Sequence, residues 1–489
     1  MSSNIGNLSE LENVLCNNEK THEGVLQIMS AFKIGRFLSL FEYAKSKGWR
    51  VSVLLFSLLI FRLRGESVNS GQSSSSFLPK IDDNAFYRLM NNSRMDWRRL
   101  LLGIAKQFKR HVNEKGDQAS DSPTCFVLDD TDLPKTGKTF ELFGRIFNHV
   151  TKQYPLGFKL LLLSIWDGKS LVSLDFSLHR EKGKKGNCGL TKKEQRGRFR
   201  KIRDKKSHGA KRVREMDAKK TDNAIAMIKR AVKNGFSASY VLMDSWFVND
   251  TVIKGVRAIN DGAMHIIGMC RIDRRKYLLD GKEQNIGLLI TRFDRKKGKY
   301  SRKYKSRYIP LVVDYKGVRV KLFCIKYNNA KNWTLLLTTD LTLSFVQTIE
   351  TYQIRWTTEV LFKECKQYLR LGKSQNTDFD GQIADTTLAL VTHTVLTLQK
   401  RFGDYETMGI LFRQTQQHLL ELTLWERLLK VFAKMVLVIM EIFNVDMEDV
   451  MDKLLKDERV SRKLLTMLCA LDGCINNQEN NDDSVVIAA

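Results

Sequence analysis

Hydrophobic and polar positions follow two rhythms along this chain of 489 residues, helical at both ends and strand-like in the middle. Apolar residues recur at helical spacing over Val25–Tyr43 and Val51–Leu63, and a Ser-rich polar gap, Arg64–Ser76, follows. Asn84–Met90 and Met95–Phe108 predict two more helices, joined by Asn91-Asn92-Ser93. Arg and Lys on the second suit a helix-turn-helix, and an ordinary helical hairpin suits the pattern equally. A polar linker, Asn113–Ser122, comes next. Beyond Lys400 the helical rhythm returns over Tyr405–Lys430, Val431–Phe443 and Met447–Leu468.

The middle reads differently. Cys125–Asp130 is a compact apolar strand set between Pro123 and Pro134. Phe158–Trp166 and Ser170–His179 are two more, and Asp167-Gly168 between them is a hairpin signal. Asp217–Lys233 has helical periodicity and stops at Gly235. Tyr240–Met243 is a short apolar strand ending on Asp244, and Ile286–Phe293, Tyr308–Tyr315 and Val318–Tyr327 read as strands of an insertion. Trp333–Thr338 leads into one long helix, with a capping box at Ser344 and Gln347 and with Gly372 just past its end. Three strands, a helix, a strand, a strand-rich insertion, a strand and a helix is the order of a ribonuclease-H-like sheet. The expected fold is therefore α/β, with such a core over residues 122–400 and a strand-rich basic insertion at about 268–328. Helical regions flank it at 1–115 and 401–489.

Charge sharpens this picture. The formal net charge is +27, and two stretches carry most of it. Arg180–Lys220 holds 18 Lys/Arg against 5 acids, and Arg271–Arg307 holds 14 against 4. Solvated loops account for such runs in some proteins, but clusters of this size suit a phosphate backbone, which points to nucleic acid. The eight cysteines form no Cys-x-x-Cys pair and suit a reducing cytoplasm. Met1–Leu15 does not read as a signal peptide, and the longest apolar run, Val51–Leu63, is too short to span a bilayer.

Three acids stand where this order of elements would place a catalytic group. Asp130 ends the first strand, Asp244 ends the strand after the first helix, and Glu359 lies within the long helix. Alternation from Phe126 and Leu128 puts Asp130 on their face of the sheet, with Asp129 beside it as a competitor. Carboxylates gathered at a sheet edge suit hard divalent cations and phosphodiester chemistry, although an Asp ending a strand is often only a turn former. At about 100° per residue, Arg355, Glu359 and Lys366 fall within roughly 60° of Tyr352, and Lys363 joins the same stripe. Such a stripe suits a phosphate contact beside a metal ligand, and it also reads as an ion-pair ladder, Arg355–Glu359–Lys363. Glu364 lies off the stripe and reads as solvent-facing, whereas Trp246 reads as core.

The spacing of Tyr352, Arg355, Glu359 and Lys366 resembles the Tyr-x2-Arg-x3-Glu-x6-Lys signature of bacterial insertion-sequence transposases of the DDE type. Asp129-Asp130-Thr131 is similar to the stretch holding that group's first Asp, and Val241-Leu242-Met243-Asp244 to the strand ending on its second. The resemblance implies metal binding by Asp130, Asp244 and Glu359, with Mg²⁺ expected and Mn²⁺ as a substitute. It gives Tyr352, Arg355 and Lys366 phosphate contacts, to which the stripe adds Lys363 as a DNA-binding candidate, and makes Trp356 a candidate base contact, with core as the alternative. It further implies a homodimer that binds inverted-repeat ends through its N-terminal region, cuts them and joins them to target DNA. A cytoplasmic, membrane-free location goes with this. A metal-dependent endonuclease of the same fold, without strand transfer, is the alternative.

Overall fold

The computed structural model describes residues 37–417, apart from Ser46 and residues 75–80, 118–121, 149–150, 198, 329 and 404. The helices expected over Val431–Phe443 and Met447–Leu468, most of that over Val25–Tyr43 and half of that over Tyr405–Lys430 lie outside the described residues. In chain order the helices are α1 (Val51–Leu63), α2 (Val68–Ser74), α3 (Asp83–Met90), α4 (Trp97–Glu114), α5 (Lys192–Gly197) and α6 (His208–Asp217). There follow α7 (Lys220–Lys233), α8 (Asp250–Arg257), α9 (Ile286–Lys297), α10 (Phe345–Gln353), α11 (Trp356–Gln367) and α12 (Phe379–Phe402). The strands are β1 (Cys125–Pro134), β2 (Gly144–Arg145), β3 (Leu156–Trp166), β4 (Leu171–His179), β5 (Tyr240–Met243) and β6 (His265–Cys270). After them come β7 (Lys276–Leu279), β8 (Lys282–Asn285), β9 (Lys299–Ser301), β10 (Ser306–Tyr315), β11 (Val318–Tyr327) and β12 (Thr334–Thr338).

All twelve strands belong to one mostly antiparallel sheet, in which β4, β3, β1, β5 and β6 are successive neighbours. β1 is antiparallel to β3, and β3 to β4, whereas β5 runs parallel to β1 and β6 parallel to β5. The hairpin signal at Asp167-Gly168 is met: Asp167 N–H donates to the Ser170 carbonyl, and Gly168 takes φ 101°. β3 and β4 are buried at nearly every position, as strands covered on both faces must be. β12 pairs with the far edge of β6, and β11, β10, β7 and β8 extend the sheet from there. The long separation between Asp244 and Glu359 is therefore filled by a further part of the same sheet.

Helices close the faces. α4 packs against β4 and α12, burying Trp97, Leu100, Leu101, Ile104 and Phe108 at helical spacing. α12 is buried from Phe379 to Gln399, and the hydroxyls of Thr386, Thr387, Thr392, Thr394 and Thr397 are satisfied by carbonyls one turn back. α1 is mostly buried, as its apolar run predicts, and among the described residues no helix is long and apolar enough to cross a membrane.

Several local expectations are corrected. Ile286–Phe293 is helical and not a strand: Ile286, Leu289, Ile290 and Phe293 form one buried stripe, and the Asn285 side chain caps the Leu288 N–H. Asp217–Lys233 is divided between α6 and α7 because Ala218 is extended. The polar gap Arg64–Ser76 contains α2. The long helix after β12 is two helices, α10 and α11. At their junction, the N–H groups of Ile354, Arg355, Thr357 and Thr358 bond three residues back rather than four. The capping box at Ser344 and Gln347 is present.

Candidate active site

Register builds the site. The parallel pairing of β1 with β5 ends at Leu128 opposite Met243. One residue further along each strand stand Asp129 and Asp244, beyond the last shared hydrogen bonds. There β1 keeps β3 on one side only. Asp130 does not end its strand as expected: β1 runs on against β3 to Pro134, and the crevice opens where β5 stops and the parallel pairing ends.

The third acid arrives on α11. Arg355 spans the gap: one guanidinium nitrogen donates to Asp129 Oδ2 at 2.5 Å and the other to Glu359 Oε1 at 2.7 Å. Lys366 Nζ donates to Thr131 Oγ1 at 2.7 Å. Asp129 and Thr131, two apart on the strand, therefore face α11 together. Tyr352 lies beneath Arg355, its ring centre 5.8 Å from the guanidinium carbon. The tightened turn between α10 and α11 brings residues three apart into line, which explains that stacking. Of the expected stripe, Arg355 and Lys366 bond β1, Tyr352 and Glu359 both meet Arg355, and Lys363 is exposed.

Asp130 is turned elsewhere. Its Oδ2 accepts from Lys220 Nζ of α7 at 2.6 Å, and the Lys220 ammonium also stands 4.9 Å over the Trp246 ring. Lys220 came to notice in the sequence only as one cation in a basic run. Trp246 is not core: it is 43% exposed, and its backbone N–H bonds Asp244 Oδ1. Trp356 is 61% exposed, so the core alternative does not hold for it. Glu364, expected to face solvent, instead accepts a 2.9 Å hydrogen bond from His393 of α12. The buried Lys135 ammonium, which sequence patterning does not reveal, donates to the carbonyls of Gly372 and Ser374 and ties the end of β1 to the loop after α11.

Electrostatics single out Asp129. Burial pushes its carboxyl up to about 7 against the pull of Arg355, and the charges of Asp244 and Asp130 push the same way as burial. Burial likewise pushes the Tyr352 phenol up to about 12, so it stays a neutral donor at physiological pH. Among the described residues no three His, Cys, Asp or Glu side chains stand close enough to share one ion, and Arg355 fills the span between Asp129 and Glu359. The donor chemistry nevertheless suits a hard divalent cation. The oxygens are carboxylates, and their crowded negative charge is what such an ion would neutralise.

Residues 75–280 match the family described as DDE superfamily endonuclease, and residues 199–400 match the archaeal ISC1217-type transposases. The first match contains β1 and Asp244, and the second contains Asp244 and Glu359. Together the two matches support a DDE-type transposase or nuclease. Both matches run through the crevice, so the likeness to the DDE families and the geometry concern the same acids. No curated protein matches the chain.

Proposed function

We propose that the chain is an insertion-sequence transposase that cuts DNA ends and joins them to target DNA in a ribonuclease-H-like active site. The carrying observation is the Arg355 fork between Asp129 and Glu359, level with Asp244 across the parallel pair β1–β5. The strand order β4-β3-β1-β5-β6, antiparallel then parallel, supports the ribonuclease-H-like reading. We further propose Asp129 as the β1 ligand, in the place where strand alternation alone favours Asp130.

Asp129, Asp244 and Glu359 would hold Mg²⁺, or Mn²⁺ in its stead; when bound, such ions activate an attacking oxygen and stabilise a leaving one. The residues themselves supply position. Arg355 presents a planar fork suited to a phosphate, Lys366 adds a cation on the same side, and Lys363 extends the line into solvent. Inverted-repeat recognition by the N-terminal region (residues 1–115) and homodimer formation through residues 401–489 complete the proposal.

The test is a strand-transfer assay with labelled DNA carrying the element's own ends, a target plasmid and Mg²⁺. Wild type is expected to nick and join, and Glu359→Gln to bind DNA and do neither. Cutting without joining would favour the endonuclease reading, and unimpaired joining by Glu359→Gln would refute the site.

A further inference from the structure

The helix that carries Glu359 and Lys366 is gripped at both ends. At its start Arg355 meets β1, and past its last turn the chain leaves through residues 368–372. There the Leu369 carbonyl accepts a 2.8 Å hydrogen bond from Arg62 Nη1 of α1. The other terminal nitrogen of that guanidinium pairs with Asp385 Oδ1 of α12 and reaches the Asp385 carbonyl at 3.5 Å. Both side chains are buried. One residue further on, Arg370 donates to the Gly65 carbonyl at 3.2 Å, a second tie between the same two segments. A buried ion pair is a poor source of stability, because desolvating two charges offsets most of their attraction and apolar side chains of similar volume often do as well. Here Asp385 Oδ2 finds no hydrogen-bond partner among the described residues, so the pair is incompletely satisfied. What the guanidinium does supply is direction: its planar fork fixes a carbonyl at the end of α11 and a carboxylate on α12 at once.

We propose that Arg62 is a positioning residue for the phosphodiester reaction, setting α11, and with it Glu359 and Lys366, from the N-terminal helices. This rests on the reading of Glu359 as part of the active site. Arg62 acts through the Leu369 carbonyl and Asp385 and bonds none of the three acids. Leu369 lies three residues beyond Lys366, so a shift at Leu369 is passed to the cation that bonds Thr131 on β1. A misplacement of about 1 Å made far from the chemistry can cost about a hundredfold in rate, so the effect falls on cleavage and not on DNA binding. α1 belongs to the region proposed to recognise the DNA ends, and cleavage geometry therefore rests on the part of the chain that takes up the substrate.

The experiment compares three full-length variants with wild type: Arg62→Lys, Arg62→Met, and Arg62→Met combined with Asp385→Asn. For each, single-turnover cleavage of DNA carrying the element's ends is measured in Mg²⁺, with affinity for the same DNA in EDTA and the midpoint of urea unfolding. Arg62→Met strands the Asp385 charge and should unfold earlier, whereas the double variant removes that charge and should recover most of the midpoint. If Arg62 positions α11, cleavage follows the donor to the Leu369 carbonyl. It is then largely kept in Arg62→Lys and reduced about tenfold or more in both Met variants, with DNA affinity unchanged throughout. Cleavage that instead tracks the unfolding midpoint across the series, or a loss matched by lost DNA affinity, overturns the proposal. Glu359→Gln in the same assay keeps the two readings apart. Cleavage by that variant refutes the active site, whereas its inactivity beside fully active Met variants refutes only the part of Arg62.

Discussion

At the scale of single residues, the pair Asp129-Asp130 shows what one position on a strand decides. Adjacent side chains leave opposite faces, so Asp129 meets Arg355 of α11 and Asp130 meets Lys220 of α7. Asp129→Asn is therefore expected to abolish Mg²⁺-dependent cleavage, and Asp130→Asn to reduce it less; equal loss in both would return Asp130 to the ligand set. The raised carboxyl of Asp129 adds a second readout. Its native value, about 7, lies above the ordinary 3.8, so the native state binds more protons between those limits. The contribution of Asp129 to stability is thus full below about pH 4 and is lost as pH rises through about 7. Measured without metal, the melting temperature of Asp129→Asn relative to wild type should climb across that window. A flat difference would show that burial does not strain this carboxylate. That acids stand at these three points of the fold was legible in the sequence, because each ends an apolar run or sits on a cationic stripe. The choice within the Asp-Asp pair was not, since alternation gives the faces but not which face α11 covers.

At the scale of elements, patterning read the strands β1, β3, β4, β5, β10 and β11 well, because buried strands leave compact apolar runs. It missed α8 and β6, whose short apolar groups over Val252–Val256 and Met264–Cys270 lie between basic stretches. It took α9 for a strand because Ile286–Phe293 is a short apolar run, where strand and helix periods are hard to separate. The first basic stretch shows a different limit. Charge along the chain suggested a polyanion surface, yet several of these cations face inward. Arg203 bonds Glu141 at 2.7 Å and Asp380 at 2.9 Å, and Lys201 bonds Asp378 and Asp380. This buried cluster fastens the segment before α6 to the start of α12. Removing one partner of a buried pair strands the others, at a cost of about 3–5 kcal/mol. Arg203→Ala should destabilise by that order in urea unfolding, while Lys184→Ala, at an exposed position, should stay within about 0.5 kcal/mol. Similar small effects from both would mean the cluster is solvated and contributes little.

At the scale of the whole molecule, the question is where a charge of +27 does its work. Arg180, Lys201, Arg203, Arg212 and Lys220 of the first stretch each pair with a carboxylate of the fold, so that stretch has less to offer a ligand than its net charge suggests. The second stretch is distributed differently. Arg295, Lys296, Lys297, Lys299, Arg302 and Lys305 are exposed on α9, β9 and the turn that follows. They lie at the end of the sheet extension, and together they form a cationic edge continuous in sequence with β10. Non-specific DNA affinity falls with salt because each neutralised phosphate releases counterions, with a log–log slope of about 0.9 per contact on duplex DNA. Replacing Lys296, Lys297 and Lys299 together by Ala should therefore flatten the salt dependence of duplex binding by roughly 2–3 in slope. Replacing three exposed lysines of the first stretch, Lys182, Lys184 and Lys185, provides the comparison. If the insertion carries the DNA contact, the first triple variant loses more slope than the second. The reverse order would move the contact to residues 180–220 and leave the sheet extension without a part in binding.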